Sequence, residues 1–193
     1  MRFRFFPMAV LAAFSLPAAG SDFSHQPALE ADLFISGGLY DDVDGSMLGG
    51  GLGLTGHIGS FYIHGAAEGL EESNGLSEAV KGKVAIGGLG RWDAQQMVIL
   101  EFGGRYLDSS WAGDWASERT DVAIELGFRG VSHNIRTDLL AILLYPTDDA
   151  ANVQAGGRID IVTLNEDGRY GFVVSGEYLS NEQNVRVGLR RRF

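Results

Sequence analysis

Apolar and polar residues alternate with a period of two through most of the chain after residue 30, and this pattern constrains the fold more than any other feature. In residues 121–130, Val122, Ile124 and Leu126 fall on one face and Glu125 on the other. Such alternation is typical of a β-strand that separates two different environments. A helical period is hard to find, and no run of 18 uncharged apolar residues occurs after residue 20, so no membrane-spanning helix is predicted there.

Ten segments carry the alternation, and an even number is what an up-and-down bacterial barrel requires. We therefore predict an all-β fold, an antiparallel up-and-down barrel of about ten strands, with eight as the alternative count. The predicted strands are 30–40, 47–57, 61–70, 78–92, 96–107, 119–130, 134–145, 152–164, 169–179 and 184–193.

The connectors between these segments differ in length and charge. Short turns at one end of a barrel and longer loops at the other are typical of outer-membrane barrels. The short connectors are 58–60, 93–95, 131–133 and 165–168, and the longer, mostly acidic ones are 41–46, 71–77, 108–118 and 146–151; 180–183 is short, although it falls at the end of the longer loops.

Proline and glycine are distributed as a small barrel needs. After residue 20 the only prolines are Pro27 and Pro146, which lie outside the ten segments and so remove no ladder donor from a strand. The chain has 28 glycines, many of them within strands, and they suit a sharply curved sheet.

Aromatic residues fall at both ends of the predicted strands. Aromatic rings at two rims are favoured by a bilayer with two interfaces, so we predict a transmembrane barrel. A soluble secreted barrel with its apolar face inside is the alternative. The predicted rim residues are Tyr40, Tyr106, Tyr145 and Tyr178 at the outer end and Phe61, Trp92, Phe128, Tyr170 and Phe193 at the inner end.

Residues 1–20 have the layout of a secretory signal peptide. Arg2 and Arg4 precede an uncharged apolar stretch and then small residues, and cleavage is expected after Gly20 or Ser21. Residues 21–193 are then the barrel domain. The chain has no cysteine, so no disulfide supports this domain in an exported protein.

The final segment, Val185–Phe193, alternates apolar residues with Arg or Gly and ends on phenylalanine. It resembles the closing strand of small Gram-negative outer-membrane β-barrel proteins of the opacity-like, OmpA-like and YfaZ-like kinds. The resemblance implies an outer-membrane location, Phe193 as an assembly signal, and the barrel-assembly machinery as a partner. Arg191 departs from the pattern, because it takes a lipid-side position where the family often has an aromatic residue; we expect its guanidinium to reach the headgroups.

Charged residues of both signs fall on the predicted inner face. Unpaired charges in a narrow interior are costly, so we predict a ladder of ion pairs that fills the barrel, with Arg186 and Arg190 meeting carboxylates such as Glu177. A selective pore lined by charge is the alternative. The predicted lumen set is Asp32, Glu68, Lys81, Lys83, Arg91, Glu101, Arg105, Glu125, Arg129, Arg136, Asp138, Arg158, Asp160, Glu177, Arg186, Arg190 and Arg192.

The seventh strand does not fit this scheme well. Its run Leu139–Leu144 is apolar on both faces. It is expected either to pack against a filled lumen or to belong to a different architecture.

The acidic surplus falls in the predicted loops. Without Arg2 and Arg4 the 15 basic residues become 13 against 25 acidic ones, a net charge of −12, so phosphates would be repelled and nucleic acid is not expected as a partner. Loops facing outer-membrane lipid and lipopolysaccharide can bind divalent cations that bridge to phosphates, although residues 42–46 lack the full spacing of a calcium loop. The acidic loop residues are Asp41, Asp42, Asp44, Glu71, Glu72, Asp108, Asp114, Glu118, Asp148 and Asp149.

No catalytic motif is predicted. The histidines are His25, His57, His64 and His133, and none lies in the Asp-x-His or His-x-Ser patterns of outer-membrane proteases and deacylases. His64 shares a strand face with Glu68, which is more typical of a lumen hydrogen bond than of a catalytic base. We expect no enzyme and no cofactor, but a structural, adhesive or surface-sensing barrel. The alternatives are a narrow channel for small solutes and a membrane-embedded hydrolase acting on lipid or peptide.

Overall fold

The computed structural model describes residues 28–40, 46–72, 75, 77–93, 95–111, 115–148 and 152–193. The predicted signal peptide, His25 and the acidic residues Asp41, Asp42, Asp44, Asp114 and Asp149 lie outside these ranges, as does the side chain of Tyr40. No helix in the described ranges is long and apolar enough to cross a membrane.

The described residues form ten strands that close into a single barrel. Every strand pairs antiparallel with its sequence neighbours, and the last strand pairs with the first, so the sheet has no open side. The predicted ten-stranded antiparallel barrel is confirmed. The strands are β1 (Leu29–Tyr40), β2 (Ser46–Ile58), β3 (Phe61–Glu72), β4 (Glu78–Arg91), β5 (Gln96–Trp111), β6 (Trp115–Ser132), β7 (Ile135–Pro146), β8 (Gln154–Leu164), β9 (Tyr170–Leu179) and β10 (Glu182–Arg192).

The two ends of the barrel differ, and we name them by their connectors. The turn rim carries the connectors 59–60, 92–95, 133–134 and 165–169, and the loop rim carries 41–45, 73–77, 112–114, 147–153 and 180–181. At the turn rim the chain reverses with φ values of 61° at Gly59 and 48° at His133. The left-handed conformation is inexpensive for glycine, and histidine tolerates it better than β-branched residues do.

The longest predicted loop is mostly strand. Residues 108–118 were expected to form a loop, but β5 and β6 continue as a hairpin in which Asp108 pairs with Glu118 and Trp111 with Trp115. The pairing of β6 with β7 stops at Asp121 and Pro146. The β5–β6 hairpin therefore extends past β7. Its two strands form hydrogen bonds with each other's backbone groups, and polar side chains do not prevent this pairing.

The polarity of the barrel is the reverse of that of a soluble protein. Outward side chains are apolar and exposed, as for Ile86 (61%) and Phe102 (60%), whereas the inward Glu125 and Asp138 are buried. This excludes the soluble alternative, in which the apolar face would lie inside.

Part of the lumen is nevertheless apolar, and β7 supplies much of it. Leu140, Ile142 and Leu144 are buried inside the barrel, while Leu139 and Leu143 are exposed outside. Leu140 packs in a cluster with Tyr62, Leu89 and Ile99, and Ile142 and Leu144 pack with Ala123 and Leu179. The doubly apolar β7 thus belongs to the barrel, and its inner face packs against other side chains of the lumen, which agrees with the first of its two expected outcomes.

Candidate functional site in the barrel lumen

Two inward aromatic rings occupy the lumen because glycines on neighbouring strands leave space for them. A Cβ at Gly51 would lie 2.6 Å from Cζ of Phe34, and one at Gly87 would lie 2.0 Å from Cζ of Tyr62. Side chains at these glycines would displace the rings. These glycines therefore shape the interior as well as allowing curvature.

The centre of the lumen is organised around the carboxylate of Glu125. It accepts hydrogen bonds from Lys83 Nζ at 2.6 Å and Arg105 Nη2 at 2.8 Å, and Arg158 Nη2 lies 3.0 Å away. The Glu125 side chain is only 1% exposed. One buried carboxylate thus holds three cations that come from three other strands.

Arg105 links this centre to β9. Its Nη1 and Nη2 donate to the two carboxylate oxygens of Glu177 at 2.9 and 3.0 Å. Glu101 pairs with Lys83 and accepts a hydrogen bond from the Tyr62 hydroxyl at 2.9 Å. The aromatic ring of Tyr62 is therefore tied into the charge network by its polar end.

A second group of ion pairs lies toward the turn rim. Glu30 is 3.1 Å from Arg190, 3.3 Å from Arg136 and 3.4 Å from Arg192. Arg190 also donates twice to Asp32, with both distances 2.6 Å. The sequence interpretation did not include Glu30, although it continues the inward period of Asp32 by two residues.

Arg129 and Asp138 form a bidentate pair beside this group. Arg129 Nε and Nη2 each lie 2.8 Å from an Asp138 oxygen. Planar two-point contacts of this kind are the strongest that a guanidinium makes with a carboxylate.

Toward the loop rim, the pairs cross the lumen between distant strands. Arg186 on β10 donates to Glu68 on β3 at 2.8 Å, and Lys81 on β4 pairs with Glu182 on β10. Glu177 was the example given for the carboxylates that Arg186 and Arg190 meet, but in the described part of the chain their hydrogen bonds go to Glu68 and Asp32, and the register places Arg186 opposite Ser175. Sequence reasoning missed Glu182, which it placed in a turn.

Asp160, the other predicted lumen residue of β8, contacts residues of β8 itself and of the neighbouring β9. Asp160 accepts a hydrogen bond from Arg158 Nε at 3.0 Å and also contacts Ser175. Arg119 and Asp121 form a further pair, at 2.8 Å; both lie in the predicted sixth strand, but the predicted lumen set did not include them.

Arg91 does not belong to the lumen, contrary to prediction. It has the inward period of β4, but it is exposed at the end of the strand, and its Nε donates to the backbone oxygen of Asp93 at 3.0 Å. The barrel wall ends before this side chain, so its position on the strand no longer determines burial.

Phe193, predicted to be an aromatic residue of the inner rim, is buried in the structure. It follows β10, is only 5% exposed, and its backbone N–H donates to the Leu29 oxygen at 2.8 Å. The guanidinium of Arg191 lies 4.8 Å from the Phe193 ring centroid and 5.4 Å from that of Tyr170. These cation–π contacts account for an arginine on the outer face at the rim.

The inward histidines make contacts that do not suggest catalysis. His64 Nδ1 is 2.9 Å from Thr55 Oγ1, and the His57 ring lies 5.7 Å from that of Tyr62. Within the part of the chain that the structure describes, no group of three or more His, Cys, Asp or Glu residues is placed to hold a metal ion.

These side chains leave a cavity in one half of the lumen. It has a volume of about 390 Å³ and extends from Asp32 and His64 in the middle to Arg119 and Asn181 at the loop rim. A smaller space of about 60 Å³ lies toward the turn rim. Tyr62, Ile99 and Leu140 of the apolar cluster line this space, together with Glu30, His57 and Arg136.

The architecture defines the class of the protein. It is a closed antiparallel barrel with an apolar outer face, aromatic rims and a charged interior, which are the features of small transmembrane β-barrels of the outer-membrane type. At the rims, Tyr106, Tyr145, Trp92 and Tyr170 are all at least 37% exposed.

No family model and no curated protein matches the sequence. Solved outer-membrane barrels are similar to it in structure. Neisserial surface protein A shares 9% identity over 86% of this chain and 96% of its own, with a TM-score of 0.42. The KdgM porin shares 8% identity over 84% of this chain and 99% of its own, with a TM-score of 0.44. Ail of Yersinia pestis shares 12% identity over 88% of this chain and 100% of its own, with a TM-score of 0.40. Similarities this low assign no activity.

Proposed function

We propose that this protein is an integral outer-membrane β-barrel with a structural role in the cell envelope and a lumen closed by its own side chains. The observation that carries the proposal is the reversed polarity of the barrel, together with the small space of about 60 Å³ that the side chains leave in the turn-rim half of the lumen. Adhesion or surface sensing by the loop rim is compatible with the same architecture. Phe193 as an assembly signal and outer-membrane lipid and lipopolysaccharide as partners belong to this proposal.

The acidic loop rim gives some support for cations near the lipopolysaccharide. Glu71 pairs directly with Glu78, and Asp108 with Glu118, on the outer face of adjacent hairpins. Like charges opposite each other destabilise a sheet, and divalent cations would relieve the repulsion. We therefore include loosely held cations at this rim in the proposal.

The location is tested by placing a charge in the lipid-facing belt. Leu126 lies on the outer face of β6 and is 55% exposed. Leu126→Arg is expected to destabilise the folded barrel by about 2–4 kcal/mol, because a guanidinium near the bilayer midplane loses its hydration. The measurement is the amount of heat-modifiable, folded protein in the outer-membrane fraction.

Ser110→Arg is the matched control, since Ser110 is an exposed residue of β5 at the loop rim. The control should reach the outer membrane at the wild-type level. Recovery of the wild type as a soluble periplasmic protein, or equal behaviour of the two variants, would contradict the proposal.

A narrow channel is the second candidate, because the charged cavity already occupies the loop-rim half of the lumen. The apolar cluster of Tyr62, Leu89, Ile99 and Leu140 and the small size of the space beside it favour a closed barrel instead. We expect purified protein in planar bilayers to show no stable unitary current. Stable unitary currents that change after Arg105→Ala or Glu125→Ala would establish the channel and overturn the closed lumen.

A further inference from the structure

We propose that the cavity at the loop rim is a binding site for a small, neutral, polyhydroxylated molecule, of monosaccharide to disaccharide size. This goes beyond the structural role, which requires only that the lumen be closed at the turn rim. The volume of about 390 Å³ lies within the range of ligand pockets in proteins.

The charge balance of the lining argues against an ionic ligand. Seven lysine or arginine and eight aspartate or glutamate residues border the cavity among the described residues, but Glu118 has its side chain on the outer face, which leaves seven residues of each sign. A ligand of either sign would therefore meet almost no net attraction. It would also have to compete with existing partners, as an anion would at Arg186, which already donates to Glu68.

A hydroxyl group avoids this competition because it donates and accepts at once. Arginine has five donors and a carboxylate about four acceptor sites, so one partner rarely uses them all. Among the contacts of the described residues, Arg186 uses Nε and Nη2 for Glu68, and Glu182 accepts from Lys81 through Oε1; both Arg186 and Glu182 border the cavity. A ligand with several hydroxyls can accept from Arg186 and donate to Glu182 while both ion pairs stay intact.

The apolar part of the lining supplies the complementary surface. Phe34, Leu107, Leu144 and Leu179 all border the cavity. The Arg186 guanidinium lies 5.4 Å from the Phe34 ring centroid, which fixes an aromatic ring beside a bidentate donor. Sugars present apolar C–H faces between their hydroxyls, and such mixed surfaces fit a cavity with both kinds of wall.

One glycine offers a way to fill the cavity without straining the strand. A Cβ at Gly53, which faces inward on β2, would meet its nearest atoms at 3.7 Å, an ordinary contact distance. Gly53→Leu therefore adds a side chain to the cavity. The matched control is Gly65→Leu on β3, which faces outward and whose Cβ would lie 3.9 Å from the nearest atom.

The experiment measures binding of glucose and maltose to the full barrel, by NMR shift changes, in a detergent without a sugar headgroup. Glucuronate, glucosamine and glycine betaine are titrated in parallel as anionic, cationic and zwitterionic probes. We expect the neutral sugars to bind at least about tenfold more tightly than the charged probes, a difference of about 1.4 kcal/mol. Gly53→Leu should abolish this binding, and Gly65→Leu should retain it.

The result that overturns the inference is equally specific. Absence of saturable binding by both sugars, equal or tighter binding of a charged probe, or retained binding in Gly53→Leu would each exclude the proposed site. Heat-modifiable migration of both variants shows that they are folded, so loss of binding in Gly53→Leu alone reports on the cavity.

Discussion

Glu125→Gln is expected to lower the free energy of unfolding of the barrel by about 3–5 kcal/mol, because it leaves buried cations without their shared carboxylate. Lys83, Arg105 and Arg158 all lie within 3.0 Å of Glu125. Unfolding by urea in lipid vesicles, followed by the loss of heat-modifiable migration, measures the change.

The control for this variant is Glu166→Gln, which alters an exposed carboxylate at the turn rim. It should change stability by less than about 0.5 kcal/mol. Removing a cation as well, in Lys83→Met with Glu125→Gln, should recover part of the loss, since the two residues share one network. Equal stability of Glu125→Gln and the wild type would show that the central cluster does not require its carboxylate.

Gly127→Ala is expected to cost about 3 kcal/mol or to prevent folding, because an added methyl group has no space. Gly127 faces inward on β6, and its Cβ would lie 1.9 Å from the Leu139 oxygen and 2.8 Å from the Leu140 Cα. Since both are backbone atoms, the clash cannot be relieved by a change of rotamer. The yield of folded, heat-modifiable protein measures the effect.

Gly130→Ala on the same strand is the matched substitution. Its Cβ would meet only the Thr137 oxygen, at 4.0 Å, so stability should change by less than about 0.5 kcal/mol. If the two variants fold equally well, the close approach of β6 and β7 at Gly127 does not constrain the barrel.

The period-two pattern was sufficient to predict the strands and the facing of most charges. Residues such as Leu126 and Glu125 are adjacent in sequence and lie in opposite environments, which a strand of a barrel requires. The same pattern could not give the partners of those charges. Arg186 finds Glu68 rather than Glu177 because partners depend on the stagger of ten strands and on which side chains reach across the lumen.

The ends of strands were the least predictable features. Asp108, Ser109 and Ser110 have the composition of a loop, yet they are paired strand residues because the hairpin supplies their backbone partners. Arg91 and Phe193 illustrate the opposite difficulty. Each continues the period-two pattern of its strand, but it lies at the end of the barrel wall. The pattern there no longer determines whether the side chain is buried or exposed.

The ion pairs between β1 and β10 have a consequence for how errors in barrel closure are detected. Asp32 lies opposite Arg190, and Glu30 opposite Arg192. A slip of one residue would turn every side chain to the wrong face, whereas a slip of two would preserve the faces and satisfy the backbone equally well. After such a slip Arg190 would lie opposite Glu30 or Phe34 and lose its two-point contact with Asp32. The ion pairs between β1 and β10 therefore favour the correct register over a two-residue slip, which the burial of apolar residues alone would not disfavour.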